Sequence, residues 1–251
     1  MRVLLIVAAV LWGVGTGLVL PRAAHRFSVE PDEPWNSRCP AGHPITGAYG
    51  GWLGRATCPT LEPNGPCGAY GPHTRTTSTA TALVCAALAT ASGPRPETAV
   101  WLLLTPVAIL LALIDIRVHR LPDALTLPLA ATTTLLLAVA ALLPAAAGSW
   151  PTALLGGLTL CAAYFVLFLA NPSGMGFGDV KLALPLGTAL GWYGWPTLLT
   201  GALTGLLYGA LYGATMLATH RATRKSAIPL GPFMLTGTLT GLVLGGIAAA
   251  S

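Results

Sequence analysis

From residue 79 to the C-terminus the chain is a series of apolar runs joined by short polar links. With an N-terminal run they number eight: 3–20, 79–92, 99–116, 124–145, 151–170, 181–195, 197–218 and 229–250. A helix that crosses a bilayer needs about 20 largely apolar residues, since each adds only about 1.5 Å of rise. In lipid every backbone N–H and C=O must be paired inside the protein, which leaves helices or closed barrels. Runs of this length predict helices. The expected fold is all-α, a polytopic membrane helix bundle of about eight transmembrane helices. The 79–92 run, rich in Ala and Thr, fits a span least well, and the Gly191–Pro196 boundary reads as a tight interfacial turn.

Composition leads to the same place. Only 8% of the 251 residues are charged and 54% are hydrophobic, against roughly 25% charged in a soluble domain. Such a chain cannot cover itself with a water-facing surface, so the lipid bilayer is its expected surrounding. The net charge of +5 does not point to nucleic acid, because the basic residues are scattered and form no aromatic-interleaved patch. They do sort by side. With the N-terminus outside, the links after alternate spans hold Arg22, Arg26, Arg38, Arg55, Arg75, Arg117, Arg120, Lys181, Arg221, Arg224 and Lys225, which is 11 of the 13 basic residues. The excess of Lys and Arg on cytoplasmic links selects that orientation in a plasma membrane. Residues 1–20 read as an uncleaved first span, since no clean small-residue cleavage site follows.

Residues 21–78 are a different material. With 9 Pro and 8 Gly in 58 residues they offer no long helix and read as an irregular cytoplasmic loop or small domain. Residues 79–251 form the membrane core.

The acids carry the chemical signal. After Glu97 only Asp115, Asp123 and Asp179 remain, and ionisable groups in or beside spans are costly enough to mark functional sites. Asp123, in Arg120-Leu121-Pro122-Asp123, suits an N-cap for the span at 124. Asp115 ends the apolar run Leu110–Ile114, and Asp179 follows the glycine-spaced turn Gly174-Met175-Gly176-Phe177-Gly178. Two carboxylates brought together can divide acid and base work, one taking a proton from water while the other polarises a carbonyl. Sequence position suggests the division. Asp115 lies at the C-terminal, partially negative end of its helix and Asp179 at the N-terminal, partially positive end of its own. On that ground Asp179 is the expected base and Asp115 the proton holder.

Four stretches together resemble the type IV prepilin peptidase family. Gly176-Phe177-Gly178-Asp179 with Lys181 resembles its Gly-x-Gly-Asp motif. Ile114-Asp115 through Pro122-Asp123 is similar to its first catalytic region. Pro229-Leu230-Gly231-Pro232-Phe233 resembles the start of its last span, and Gly15-Thr16-Gly17 through Arg22 is similar to its first. The resemblance covers about residues 99–250. It implies a membrane aspartyl endopeptidase with Asp115 and Asp179 as catalytic pair and Gly176, Gly178, Lys181 and Asp123 in support. Family members remove a basic leader from prepilin or pseudopilin precursors at the cytoplasmic face, without a cofactor. Many then methylate the new N-terminus with S-adenosylmethionine.

The first loop departs from the family, whose members commonly carry two Cys-x-x-Cys pairs resembling a zinc site. Here Cys39-Pro40-Ala41-Gly42 and Cys67-Gly68-Ala69-Tyr70 have each lost a cysteine. Cys39, His43, Cys58, Cys67 and His73 offer enough donors for tetrahedral zinc, but the irregular spacing favours a metal-free loop and leaves the methyltransferase half open. Two other readings exist. A presenilin-like protease carries Tyr before its first aspartate, where this chain has Ile114. A non-catalytic membrane protein or transporter predicts mid-span acids and internal duplication, neither of which is found.

Overall fold

The computed structural model describes residues 1–30, 32–58, 68–172, 174–220 and 228–250. Among these residues helix is the only extended regular structure, with two isolated bridges in the first loop. The helices are α1 (Arg2–Phe27), α2 (Ala48–Gly51), α3 (Thr74–Ser92), α4 (Pro96–Val118), α5 (Asp123–Ala141), α6 (Trp150–Ala170), α7 (Phe177–Gly191), α8 (Trp195–Ala218) and α9 (Gly231–Ala248). The all-α membrane bundle is as expected, and α2 is a single turn in the loop. Six helices (α1, α4, α5, α6, α8 and α9) are long and apolar enough to cross a membrane. The expected spans at 79–92 and 181–195 are helices too, but neither meets that standard. α3 is diluted by threonine, and the 15 residues of α7 reach only about 22 Å.

What holds α3 in place is close packing. Lipid is as apolar as leucine, so helix association in a membrane relies on small residues that let backbones approach. A Cβ added at Gly13 of α1 would sit 2.6 Å from Ala82 Cα, and one at Gly17 would sit 2.6 Å from Ser78 Cα. The Ser78 hydroxyl then donates to Val14 O at 3.1 Å. The Ala- and Thr-rich composition that weakened this segment as a span is what makes it a partner.

The loop boundaries differ from those expected. α1 runs on to Phe27, because Leu20, Pro21, Ala23 and Ala24 are buried against the bundle, and this packing outweighs the proline. α3 begins at Thr74, so residues 21–27 and 74–78 are helical rather than loop. The core centres on Leu111, Leu137, Leu182, Leu190 and Trp192. α7 lies inside it, buried along most of its length.

Candidate active site

Asp115 is three residues from the end of α4. The helix stops because His119 turns left-handed (φ 51°), its N–H donating to Asp115 O at 2.9 Å. Four residues after His119, α5 starts at Asp123. Asp123 is therefore the first residue of that helix, with Pro122 in the capping position, and it does not act as the N-cap that sequence suggested. Its carboxylate instead takes both oxygens to Lys181 Nζ at 2.7 Å, joining the start of α5 to the start of α7.

Asp179 lies in the first turn of α7 and accepts the Gly176 N–H at 3.2 Å, the acidic half of a capping box. The two motif glycines have different grounds. A Cβ at Gly178 would approach Leu121 Cβ to 3.0 Å, a tight contact that the glycine avoids where α7 meets the α4–α5 link. Space does not require glycine at 176, where the nearest atom would be 3.6 Å away.

Asp115 and Asp179 line one cavity of about 1160 Å³ and act on each other electrostatically. They are 4% and 7% exposed. His119, Arg120, Asp123, Asn171, Met175 and Leu230 share the walls. All the acids expected near the site are thus brought to one opening, with Lys181 held there by Asp123.

The structure adds a residue that was not expected among them. Asp115 Oδ2 accepts the N–H of Gly231, first residue of α9, at 2.9 Å. Asp115 sits at the negative end of α4, yet its carboxylate rests on the positive end of α9. Both aspartates therefore meet a helix N-terminus, and the dipole ground for making Asp179 the base falls away. A clue was present in Gly231-Pro232: at a helix start the proline has no N–H, which leaves the glycine as the available donor.

The loop holds a second constellation. Cys39-Pro40-Ala41-Gly42-His43 closes as a tight knuckle, with Cys39 N–H on His43 O at 2.9 Å, Gly42 N–H on Cys39 O at 2.8 Å, and Gly42 at φ +84°. This turn sets Cys39 Sγ 3.7 Å from His43 Nδ1. Cys58 Sγ completes the triangle at 3.9 Å from Cys39 Sγ and 3.4 Å from His43 Nδ1. Ligand edges around tetrahedral zinc are about 3.5–3.8 Å, given bonds near 2.3 Å to sulfur and 2.0–2.1 Å to nitrogen. The three donors fit that metal, and their convergence weighs against a metal-free loop. His73 is not in the group, and Cys67 lies outside the described residues.

Against known proteins, residues 102–216 match the model of the type IV leader peptidase family. A prepilin leader peptidase/N-methyltransferase of Aeromonas hydrophila is 39% identical over 123 residues, covering 47% of this chain and 41% of that protein. A protein of the same description from Klebsiella pneumoniae is 37% identical over 99 residues, covering 39% and 43%. One from Aeromonas salmonicida is 37% identical over 123 residues, covering 47% and 41%. The chain thus spans about two fifths of the length of these relatives. No solved structure matches.

Proposed function

We propose, from the type IV leader peptidase match over residues 102–216, that the chain is a membrane aspartyl endopeptidase. Its substrates on this reading are prepilin-like precursors, cut between a basic leader and an apolar helix. One observation carries the reading: two aspartates 64 positions apart in sequence open onto the same cavity. In the mechanism one carboxylate takes a proton from water as that water attacks the scissile carbonyl, and the other, protonated, hydrogen-bonds the carbonyl oxygen. The Gly231 and Gly176 N–H groups steady negative charge on Asp115 and Asp179. The proton belongs to the pair rather than to either residue.

The excess of Lys and Arg on alternate links supports an outside N-terminus and a cavity at the cytoplasmic face, where water and the basic leader are both available. Methyl transfer from S-adenosylmethionine is a further reaction suggested by the relatives' names. Zinc would be held by Cys39, His43 and Cys58 and would supply structural closure of the loop.

The test is co-expression with a candidate prepilin, reading precursor size. Asp115→Asn and Asp179→Asn should each abolish cleavage while the protein still inserts. Full cleavage by either variant would sink the mechanism.

A further inference from the structure

At the end of the bundle opposite the catalytic cavity, a carboxylate is sealed inside the protein with nothing to bind. Glu97, in the first turn of α4, is fully buried, and neither of its carboxylate oxygens has a hydrogen-bond partner. It is roughly 27 Å along the same helix from Asp115, so it takes no part in the chemistry there. An ionisable group at such a depth is among the costliest to bury, and it persists where something occupies it.

Two hydroxyls and an indole N–H are linked to one another at the same helix ends. One turn further along α4, Trp101 Nε1 donates to the Tyr193 hydroxyl at 3.3 Å, and that hydroxyl shares a 3.3 Å hydrogen bond with Ser92 Oγ at the end of α3. The Tyr193 phenol feels the charge of Glu97. Glycines of α9 pack closely on the two hydroxyl-bearing residues: a Cβ at Gly246 would lie 3.0 Å from Ser92 Oγ, and one at Gly245 would lie 2.8 Å from Tyr193 Cδ2. The neighbouring cation is already committed. Arg95 donates through Nη1 to Gly246 O at 3.3 Å and through Nη2 to Ala249 O at 2.6 Å, closing the end of α9.

We propose that Glu97, with the hydroxyls of Tyr193 and Ser92, forms a binding site for a sodium-sized monovalent cation. The donor atoms are all hard oxygens, which suits an alkali ion and not a thiophilic metal. One carboxylate balances one positive charge. A divalent ion would leave an uncompensated charge in a low-dielectric setting beside Arg95, where like charges repel strongly. The ion fastens the end of α3, the start of α4 and the α7–α8 turn, and it exchanges only when those helix ends part. The inference stands whatever the distant cavity cleaves.

The experiment uses the full chain in detergent micelles, with thermal unfolding followed by tryptophan fluorescence. Sodium chloride replaces choline chloride at constant ionic strength. The wild-type midpoint should climb saturably by about 5 °C or more with sodium, and Glu97→Gln should fold, retain precursor cleavage and lose the sodium response. An equal response in wild type and Glu97→Gln, or none in wild type, overturns the proposal. If Glu97→Gln does not fold, two measurements still decide: retention of radioactive sodium by the wild type, and its half-saturating concentration in Tyr193→Phe. Bound sodium and a severalfold weaker Tyr193→Phe support the site. No bound sodium overturns it, and so does an unchanged Tyr193→Phe.

Discussion

The backbone N–H of Gly231 donates to Asp115 Oδ2 at 2.9 Å, and a Cβ at Gly231 would stand 2.8 Å from that same oxygen. The helix that carries Asp115 and the last helix of the chain therefore meet at a point where no side chain fits. Gly231→Ala should push α9 away or turn the carboxylate aside. Because a misplaced catalytic group is expensive, cleavage should fall by at least about tenfold with membrane insertion intact. Precursor processing by this variant at the wild-type rate would show that the contact is incidental.

The Asp123–Lys181 pair gives a test of position as against chemistry. Asp123 is more than half exposed, and exposed pairs contribute little, so Asp123→Asn should slow cleavage by less than about fivefold. Asp123→Lys puts two cations together and should cost more, and adding Lys181→Asp should restore much of the loss. Assaying wild type, Asp123→Lys, Lys181→Asp and the double variant side by side reads the coupling directly. Total loss in Asp123→Asn would place this residue in the chemistry.

Purified protein should contain about one zinc per chain, as a closed tetrahedral site requires. His43→Ala and Cys58→Ser should each lower that content, as should Cys39→Ser. Cobalt substitution supplies a spectrum independent of activity, with thiolate charge-transfer bands that weaken in Cys58→Ser. Metal well below stoichiometry in wild type would restore the metal-free reading of the loop.

The contact of α1 with α3 leaves no room at Gly17. Gly17→Leu should therefore lower the unfolding midpoint by about 5 °C or more, whereas the same change at Gly15, where nothing lies within 4 Å, should leave it nearly unmoved. Comparable midpoints for the two variants would remove the close approach as a source of stability.

Sequence reading found what local pattern encodes. Apolar runs gave the helices, and the scarcity of acids after Glu97 led to Asp115 and Asp179. It missed what depends on meeting across the fold. The Gly231 donor comes from a helix that begins 116 positions after Asp115, and a backbone N–H leaves no trace in composition. The Cys58–His43 approach depends on the loop's own turns, so ligand spacing along the chain looked irregular although the spatial spacing is regular. The apolar run of the first span stops at residue 20, whereas burial of Leu20, Ala23 and Ala24 carries α1 on past Pro21 to Phe27. The isolation of Glu97 is likewise a property of the packed bundle and leaves no mark in the sequence.

Arg120 has a consequence for how such chains can be recombined. It lines the cavity, and its Nη1 donates to the carbonyls of Glu30 at 2.8 Å and Val29 at 3.4 Å, just past the end of α1. Those acceptors are main chain, so no residue identity in the loop advertises the attachment. A chimera that grafts a relative's first loop onto this core could match every side chain and still lose the tether through a one-residue change in length. Graft compatibility is set by the register of the chain after Phe27.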